Sequence, residues 1–409
     1  MSEPRLIRRR HVFYVAGYDP QDAEDYYALF CREFERFKML WPLRGSLTPP
    51  NVAADGHSAR WRIETATPGW QVSVDYEFLN WNDIILRDLA RPMRWRLPQA
   101  FFRFIDQLFT GTLFRVFRAS SRFGLFFIYP MVGLVLWLAV AAVGGWLAWS
   151  IVVGLAAPPA FIGAVLGGVV FFVLFRLMRP IADGAFVVQL TDLWLFFRDF
   201  ARGERADFEK RVDAFAARLV DGARAGDADE IVVVGHSGGA VAAALTVERA
   251  LALDPGLGTH GPRIVLLTLG SIMPAIALHP RSARVRDAIL RLATEPGLLW
   301  IDCQSNTDVV NFFDFDPVNG VGVDAGPARR NPIVFHVRFR DALGSEFYES
   351  QRWNFFRIHF QFIMANDRKA TFDYYLYLCG PLPLAAWTAD RTRTIEEFGP
   401  DASLRGCRW

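Results

Sequence analysis

An α/β fold, with a mostly parallel sheet flanked by helices and interrupted by a two-helix membrane hairpin, is predicted from three features of this chain. Strand-like runs alternate with helical periodicities through its second half, the pattern of a parallel sheet covered on both faces. Ile231-Val232-Val233-Val234 leads into Gly235-His236-Ser237-Gly238-Gly239 and then Ala240-Val241-Ala242-Ala243-Ala244-Leu245, which reads as a buried strand, a sharp turn and a small-residue helix. From Phe123 to Phe175 there is no Asp, Glu, Lys, Arg or His, enough length for two spans of about 20 residues and a turn.

The elements follow in order. His11–Ala16 reads as a first strand, then Gly17-Tyr18-Asp19-Pro20 as a turn. A helix follows from about Gln21 to Lys38, with Tyr26, Leu29, Phe30, Phe34 and Phe37 on one face. Ala59–Thr67 and Gln71–Phe78 alternate as short strands, and Trp81–Leu89 is helical. Asp183–Phe200 and Asp207–Gly222 are expected as helices, Ile231–Val234 as a strand and Ala240–Leu253 as its helix. Then come strand Ile264–Leu269, a helix near Ala283–Leu292, strand Leu298–Cys303, loop Gln304–Phe313, strand Ile333–Phe339, a longer loop through Trp353 and a helix over Phe360–Leu378. This divides the chain into an amino-terminal part of the α/β domain (1–90), an interfacial and hairpin segment (91–182), a carboxy-terminal part of the α/β domain (183–380) and a tail (381–409).

Within the uncharged run the spans are expected at about 126–149 and 160–177, with Pro158-Pro159 at the break. Gly163 and Gly167, like Gly144 and Ala148, have a small-residue spacing that lets two helices approach. The competing reading is a buried helical hairpin in a soluble core. Arg115, Arg118 and Arg122 precede the run and Arg176 and Arg179 follow it, so both ends and the serine turn are expected on the cytoplasmic side. Arginines alternate with Trp95, Phe101, Phe102, Phe104, Phe109, Phe114 and Phe117 just before it, a pattern suited to a membrane interface or to an amphipathic core helix.

Composition narrows the class. Hydrophobic residues make up 52% of the chain, charged residues 22%, and the net charge is +2, so a nucleic-acid partner is not expected. Cys31, Cys303, Cys379 and Cys407 are widely spaced, which argues against a zinc site or a disulfide framework. The basic start lacks an apolar core followed by a cleavage site, and no secretory signal is expected.

A serine on a strand-to-helix turn suggests a nucleophile, although such a serine can also simply cap the helix. The glycines beside Ser237 leave room for the turn, and the following helix directs its free N–H groups toward the same spot. A serine needs a base, and the base needs a carboxylate. Of the seven histidines, only His336 and His359 follow the strand Leu298–Cys303, beyond which a candidate acid lies. His336 falls inside a strand, whereas His359 follows a loop and opens the expected last helix. His11, His57, His260 and His279 lie elsewhere, and His236 is expected to face away from the nucleophile. Asp308 lies beyond the carboxyl end of Leu298–Cys303, where ligand-facing groups gather. Asp302 lies within that strand, and Asp314 and Asp316 are later alternatives. A plain turn-capping role for Asp308 also fits.

The order Ser237…Asp308…His359, with Gly235-His236-Ser237-Gly238-Gly239 at the turn, resembles the α/β-hydrolase superfamily, especially its lipases and esterases, over about 10–78 and 183–378. The resemblance implies a serine nucleophile, a histidine base, an aspartate partner and an oxyanion hole of two N–H groups. One belongs to Gly238 and the other to the Gly17-Tyr18 loop, at Tyr18, which departs from the family's His-Gly-Gly-Gly sequence. It implies hydrolysis of an acyl ester or thioester, with the lipid bilayer as partner and without metal or cofactor. A peptidase on the same residues, or an inactive hydrolase-like membrane scaffold, are the alternative expectations.

Overall fold

The computed structural model describes residues 6–156 and 160–405. Nine strands form one mixed, mostly parallel sheet: β1 (Arg9–Val15), β2 (Arg44–Leu47), β3 (Asn51–Val52), β4 (Ser58–Thr67), β5 (Trp70–Leu79), β6 (Glu230–His236), β7 (Arg263–Leu269), β8 (Leu298–Ser305) and β9 (Ile333–Val337). Their spatial order is β2-β4-β5-β1-β6-β7-β8-β9, with β3 on β4. Strands β5 through β9 along this order run parallel, while β2, β3 and β4 form an antiparallel flank. The α/β class and mostly parallel sheet match the sequence expectation. β2 and β3 were not anticipated, being short and half-exposed, with too few buried positions to leave an alternating pattern.

The run of valines in β6 has a simple cause. Successive side chains point to opposite faces: Ile231 and Val233 enter the core on one side of the sheet, Val232 and Val234 the core on the other. Every residue of β6 is buried, as expected for a parallel strand covered twice. The helix after it, Gly239–Leu253, is correspondingly small and apolar.

Strand order reverses at β1. The chain passes from β1 to β5 on one side, whereas β6 lies on the other and β7, β8 and β9 follow outward from it. Open sheets of this kind leave a crevice at the carboxyl ends of the two strands flanking the reversal. Here the Gly17-Tyr18 loop follows β1 and Ser237 follows β6 at that point of reversal.

Two helices, Ser121–Ala156 and Ala160–Leu177, are long and apolar enough to cross a membrane. At 1.5 Å per residue the second is about 27 Å long and the first about 54 Å. The first begins five residues earlier than expected, and the excess has a place to go. Phe123, Phe126 and Phe127 belong to the main core, so its first turns form a stem inside the globular part. Beyond the stem, Leu136, Trp146, Phe161, Val165 and Phe172 face outward. The helices meet at glycine: a Cβ on Gly145 would lie 2.6 Å from the Gly167 carbonyl oxygen, and one on Gly167 would lie 2.7 Å from that of Gly145. Gly144 and Gly163 are covered by Leu174 and Trp149 in the same seam. The Pro158-Pro159 break lies outside the described residues.

Helices Met93–Phe109 and Thr112–Ala119 form the collar around the stem. Their inward arginines are neutralised: Arg96 pairs with Asp192, both buried, and Arg103 with Asp199. Their outward face leaves Phe102, Phe109 and Phe114 at 68%, 88% and 73% exposure, so the segment is not a fully packed core helix.

The expected helix over Phe360–Leu378 is overturned. The chain instead forms a short helix Phe355–Phe360, one 3-10 turn and a separate helix Tyr374–Cys379. Between them Ala365 N–H donates to Glu33 Oε2 and the Asn366 amide to the Phe372 carbonyl. Asp373 then caps the second helix by accepting from Leu376 N–H. The loop expected through Trp353 also contains helices Phe339–Ala342 and Ser345–Gln351.

Candidate functional site

Ser237 sits between β6 and the following helix with φ +57°, a left-handed conformation that costs a non-glycine residue about 1–3 kcal/mol. Its N–H donates to the Leu269 carbonyl at 2.9 Å, and its own carbonyl accepts from Ala240 N–H at 3.2 Å. The turn is therefore tied to both β7 and the new helix, and it holds the serine half-buried at the carboxyl end of β6.

The acid and the histidine come from the next loops outward. Asp308 follows β8 and His359 lies 22 residues beyond the end of β9. Asp308 Oδ2 lies 2.7 Å from His359 Nδ1, with the residues only 2% and 3% exposed. Asp308 Oδ1 accepts from Val310 N–H at 2.8 Å, and the Asn311 amide donates to the Asp308 and Ser305 carbonyls. Such a carboxylate, fixed on both oxygens, favours the tautomer with the proton on Nδ1. His359 Nε2, on the far side of the ring, is buried and has no hydrogen-bond partner among the described residues. Ser237 and His359 share a neighbour at the β7 turn. Ser237 bonds to Leu269, and a Cβ on the adjacent Gly270 would lie 2.9 Å from His359 Cε1.

His359 lies in the last turn of its short helix rather than opening one. The other candidates lie apart: His336 is exposed near Asp314, Asp316 pairs with Arg329, and Asp302 is buried against Thr268 and Gln304.

The two backbone N–H groups named from sequence are adjacent. A Cβ on Gly238 would stand 3.4 Å from Tyr18 N, and a Cβ on Gly17 would stand 3.5 Å from Ser237 Oγ. Among the described residues neither Tyr18 N–H nor Gly238 N–H finds an acceptor. Both lie beside the start of the helix, where unpaired N–H groups favour negative charge. Phe197 and Ile272 cover Gly238, and Phe196 and Trp81 pack on the Tyr18 ring.

His236 was expected to face away from the nucleophile. It does share the sheet face of Val232 and Val234, but that face is where His359 packs. The two imidazoles stack at 4.6 Å, and His236 Nε2 lies 3.2 Å from the His359 carbonyl oxygen. Burial pushes the His236 pKa well below 6.5, and the neighbouring His359 adds to the shift. Because the unfolded chain binds the proton more readily, this group's stabilisation is present above pH 6.5 and is lost progressively as pH falls beneath it. Urea unfolding between pH 5 and 8 should therefore show stability declining below 6.5. The decline should be shallower in His236→Phe, which keeps a stacked ring but does not titrate. Part of it should remain, since His279 is also lowered by burial.

The apolar stem reaches both loops of the site. Arg122 donates to the Asn306 carbonyl, Phe123 packs on Phe312 at 4.2 Å, and Phe126 lies 6.5 Å from Phe356. Phe186, just after the second apolar helix, packs on Phe356 at 4.1 Å. The sequence offered no signal for these contacts, because they join segments far apart in the chain.

Comparison with family models, with characterised proteins and with solved structures gives no match to this chain.

Proposed function

We propose that this chain is a membrane-anchored serine hydrolase that cleaves carboxylic esters or thioesters of acyl lipids. The observation that carries this reading is the strained Ser237 at the point of strand reversal, near a buried Asp308–His359 pair whose Nε2 has no partner among the described residues. Ser237 Oγ attacks the acyl carbonyl carbon as His359 Nε2 takes its proton, and Asp308 stabilises the imidazolium. The carbonyl oxygen gains charge and is received by the N–H groups of Gly238 and Tyr18. The tetrahedral intermediate collapses, breaking the bond to the leaving oxygen or sulfur, which receives the proton from His359. Water, activated by the same histidine, then releases the fatty acid and restores Ser237.

The membrane part of the proposal rests on the two outward-facing apolar helices and the exposed aromatics of the collar. Arginines at both ends of the hairpin favour a cytoplasmic site. Acyl lipids are the substrate class that such an anchor brings to the crevice.

A fluorophosphonate probe should label the wild-type protein in membranes and leave Ser237→Ala unlabelled. Equal labelling of the two proteins, or labelling of neither, would sink the mechanism.

A further inference from the structure

The histidine of the site is carried on a segment with an unexplained surface. In residues 345–356, Phe347, Trp353 and Phe355 are 37%, 71% and 42% exposed. The next residue, Phe356, is the one wedged against Phe126 and Phe186. Phe126 lies on the buried stem of the first apolar helix, and Phe186 follows the second where the chain rejoins the globular part. Trp353 and Phe355 therefore stand beside the base of the hairpin, within three residues of its contacts.

The chemistry of the segment suits the boundary between headgroups and acyl chains. Tryptophan and phenylalanine with adjacent guanidinium groups are favoured there, rings toward the chains and charges toward the headgroups. The Arg352 guanidinium lies 5.4 Å from the Trp353 ring centre and that of Arg357 lies 5.2 Å from the Phe347 ring centre. Arg352 is also paired with Glu349 at 2.9 Å, and Glu346 is exposed nearby. Charge is thus nearly balanced, and the rings rather than the arginines supply the affinity.

We propose that residues 345–356 form a second membrane contact, with Trp353 and Phe355 seated in the same leaflet as the base of the hairpin. Resting on the hydrolase reading above, this makes the membrane side the entrance: an acyl lipid reaches Ser237 from the leaflet, past Phe355 and Phe356, without crossing water. The hairpin and the histidine-bearing segment then hold the crevice against the bilayer from two sides.

The test uses the full chain in phosphatidylcholine nanodiscs containing brominated acyl chains. An environment-sensitive fluorophore is placed at Trp353→Cys in a Cys31→Ser, Cys407→Ser background. Emission at position 353 should fall to about half on bromination, as expected for a probe at the acyl boundary. A probe at Leu136→Cys on the hairpin should be quenched as well, and one at Gln71→Cys, at the opposite end of the sheet, should not. Quenching at 136 without quenching at 353 overturns the second contact. So does quenching at 353 by aqueous iodide alone, and so does shielding from both quenchers, which would indicate packing against a second copy. Loss of quenching at 136 overturns the membrane reading itself.

A kinetic arm separates the two proposals. The Trp353→Ala variant should hydrolyse a water-soluble short-chain ester at the wild-type rate. It should lose about tenfold on a long-chain ester embedded in the bilayer, the loss expected when only substrate delivery is impaired. Equal losses on both esters overturn the entrance. No hydrolysis of either ester by wild type, with quenching at 353 intact, overturns the hydrolase reading and leaves the membrane contact standing.

Discussion

Asp308→Asn is expected to lower turnover about ten-thousand-fold while leaving the protein folded. The reason lies in the two oxygens of this carboxylate. Oδ1 accepts from Val310 N–H and Oδ2 from His359 Nδ1. An asparagine can keep only the first of these as an acceptor, because Val310 N–H requires an oxygen. Its NH2 then faces His359 Nδ1 and donates to it. The imidazole proton moves to Nε2, the nitrogen that the proposed mechanism needs bare to take the serine proton. Size and hydrogen-bond count barely change, so unfolding curves should coincide with wild type while hydrolysis and probe labelling collapse. Near-normal turnover in a folded Asp308→Asn protein would show that Asp308 only closes its loop.

The second large effect is steric. Gly239 begins the helix behind Ser237, where β6 passes β1. A Cβ there would lie 2.3 Å from the Val15 carbonyl oxygen and 2.4 Å from that of Ala16. Both obstacles are backbone at the end of a buried strand, so neither can rotate aside. Gly239→Ala should therefore destabilise the protein by about 3 kcal/mol, near the top of the range for overpacking a core. It should also draw the Tyr18 and Gly238 N–H groups apart, so activity should fall further than the folded fraction does. Gly168→Ala is the matched control, because a Cβ there meets nothing within 4 Å. A thermal melt of Gly239→Ala matching wild type would mean that β1 shifts freely, contrary to its pairing with strands on both sides.

Much of this architecture is legible in the sequence where one residue pattern has one physical explanation. The valines of β6 need burial on both faces, and a long uncharged run has few homes. Asp308 stands out because it lies just past a strand's carboxyl end and His359 because few histidines follow it, and the structure brings these two side chains together. The failures also share a cause. Phe360–Leu378 is apolar because it is packed from several sides, not because one helical face is buried. Its interruption by Asn366 and Asp373 depends on partners such as Phe372 and Leu376 that periodicity does not weigh. The stem of the first apolar helix merged into the span for the same reason, since phenylalanine suits protein core and lipid alike. The stacking of His236 on His359 was invisible because alternation specifies a face of the sheet but not what covers it.

The position of β1 has a consequence for how the chain is made. Phe13 pairs in register with Glu77 on one side and with Val233 on the other. Between the synthesis of Phe13 and that of Val233 the ribosome must produce the entire hairpin. At the usual 5–20 residues per second that interval is on the order of ten to forty seconds. Throughout it, one edge of β1 is an open strand beside an emerging apolar segment. An open edge invites mispairing, and this one stays open until β6 has been made. Pairing of β6 with β1, which seats Ser237 beside the Gly17-Tyr18 loop, therefore comes only after the whole hairpin has been synthesised.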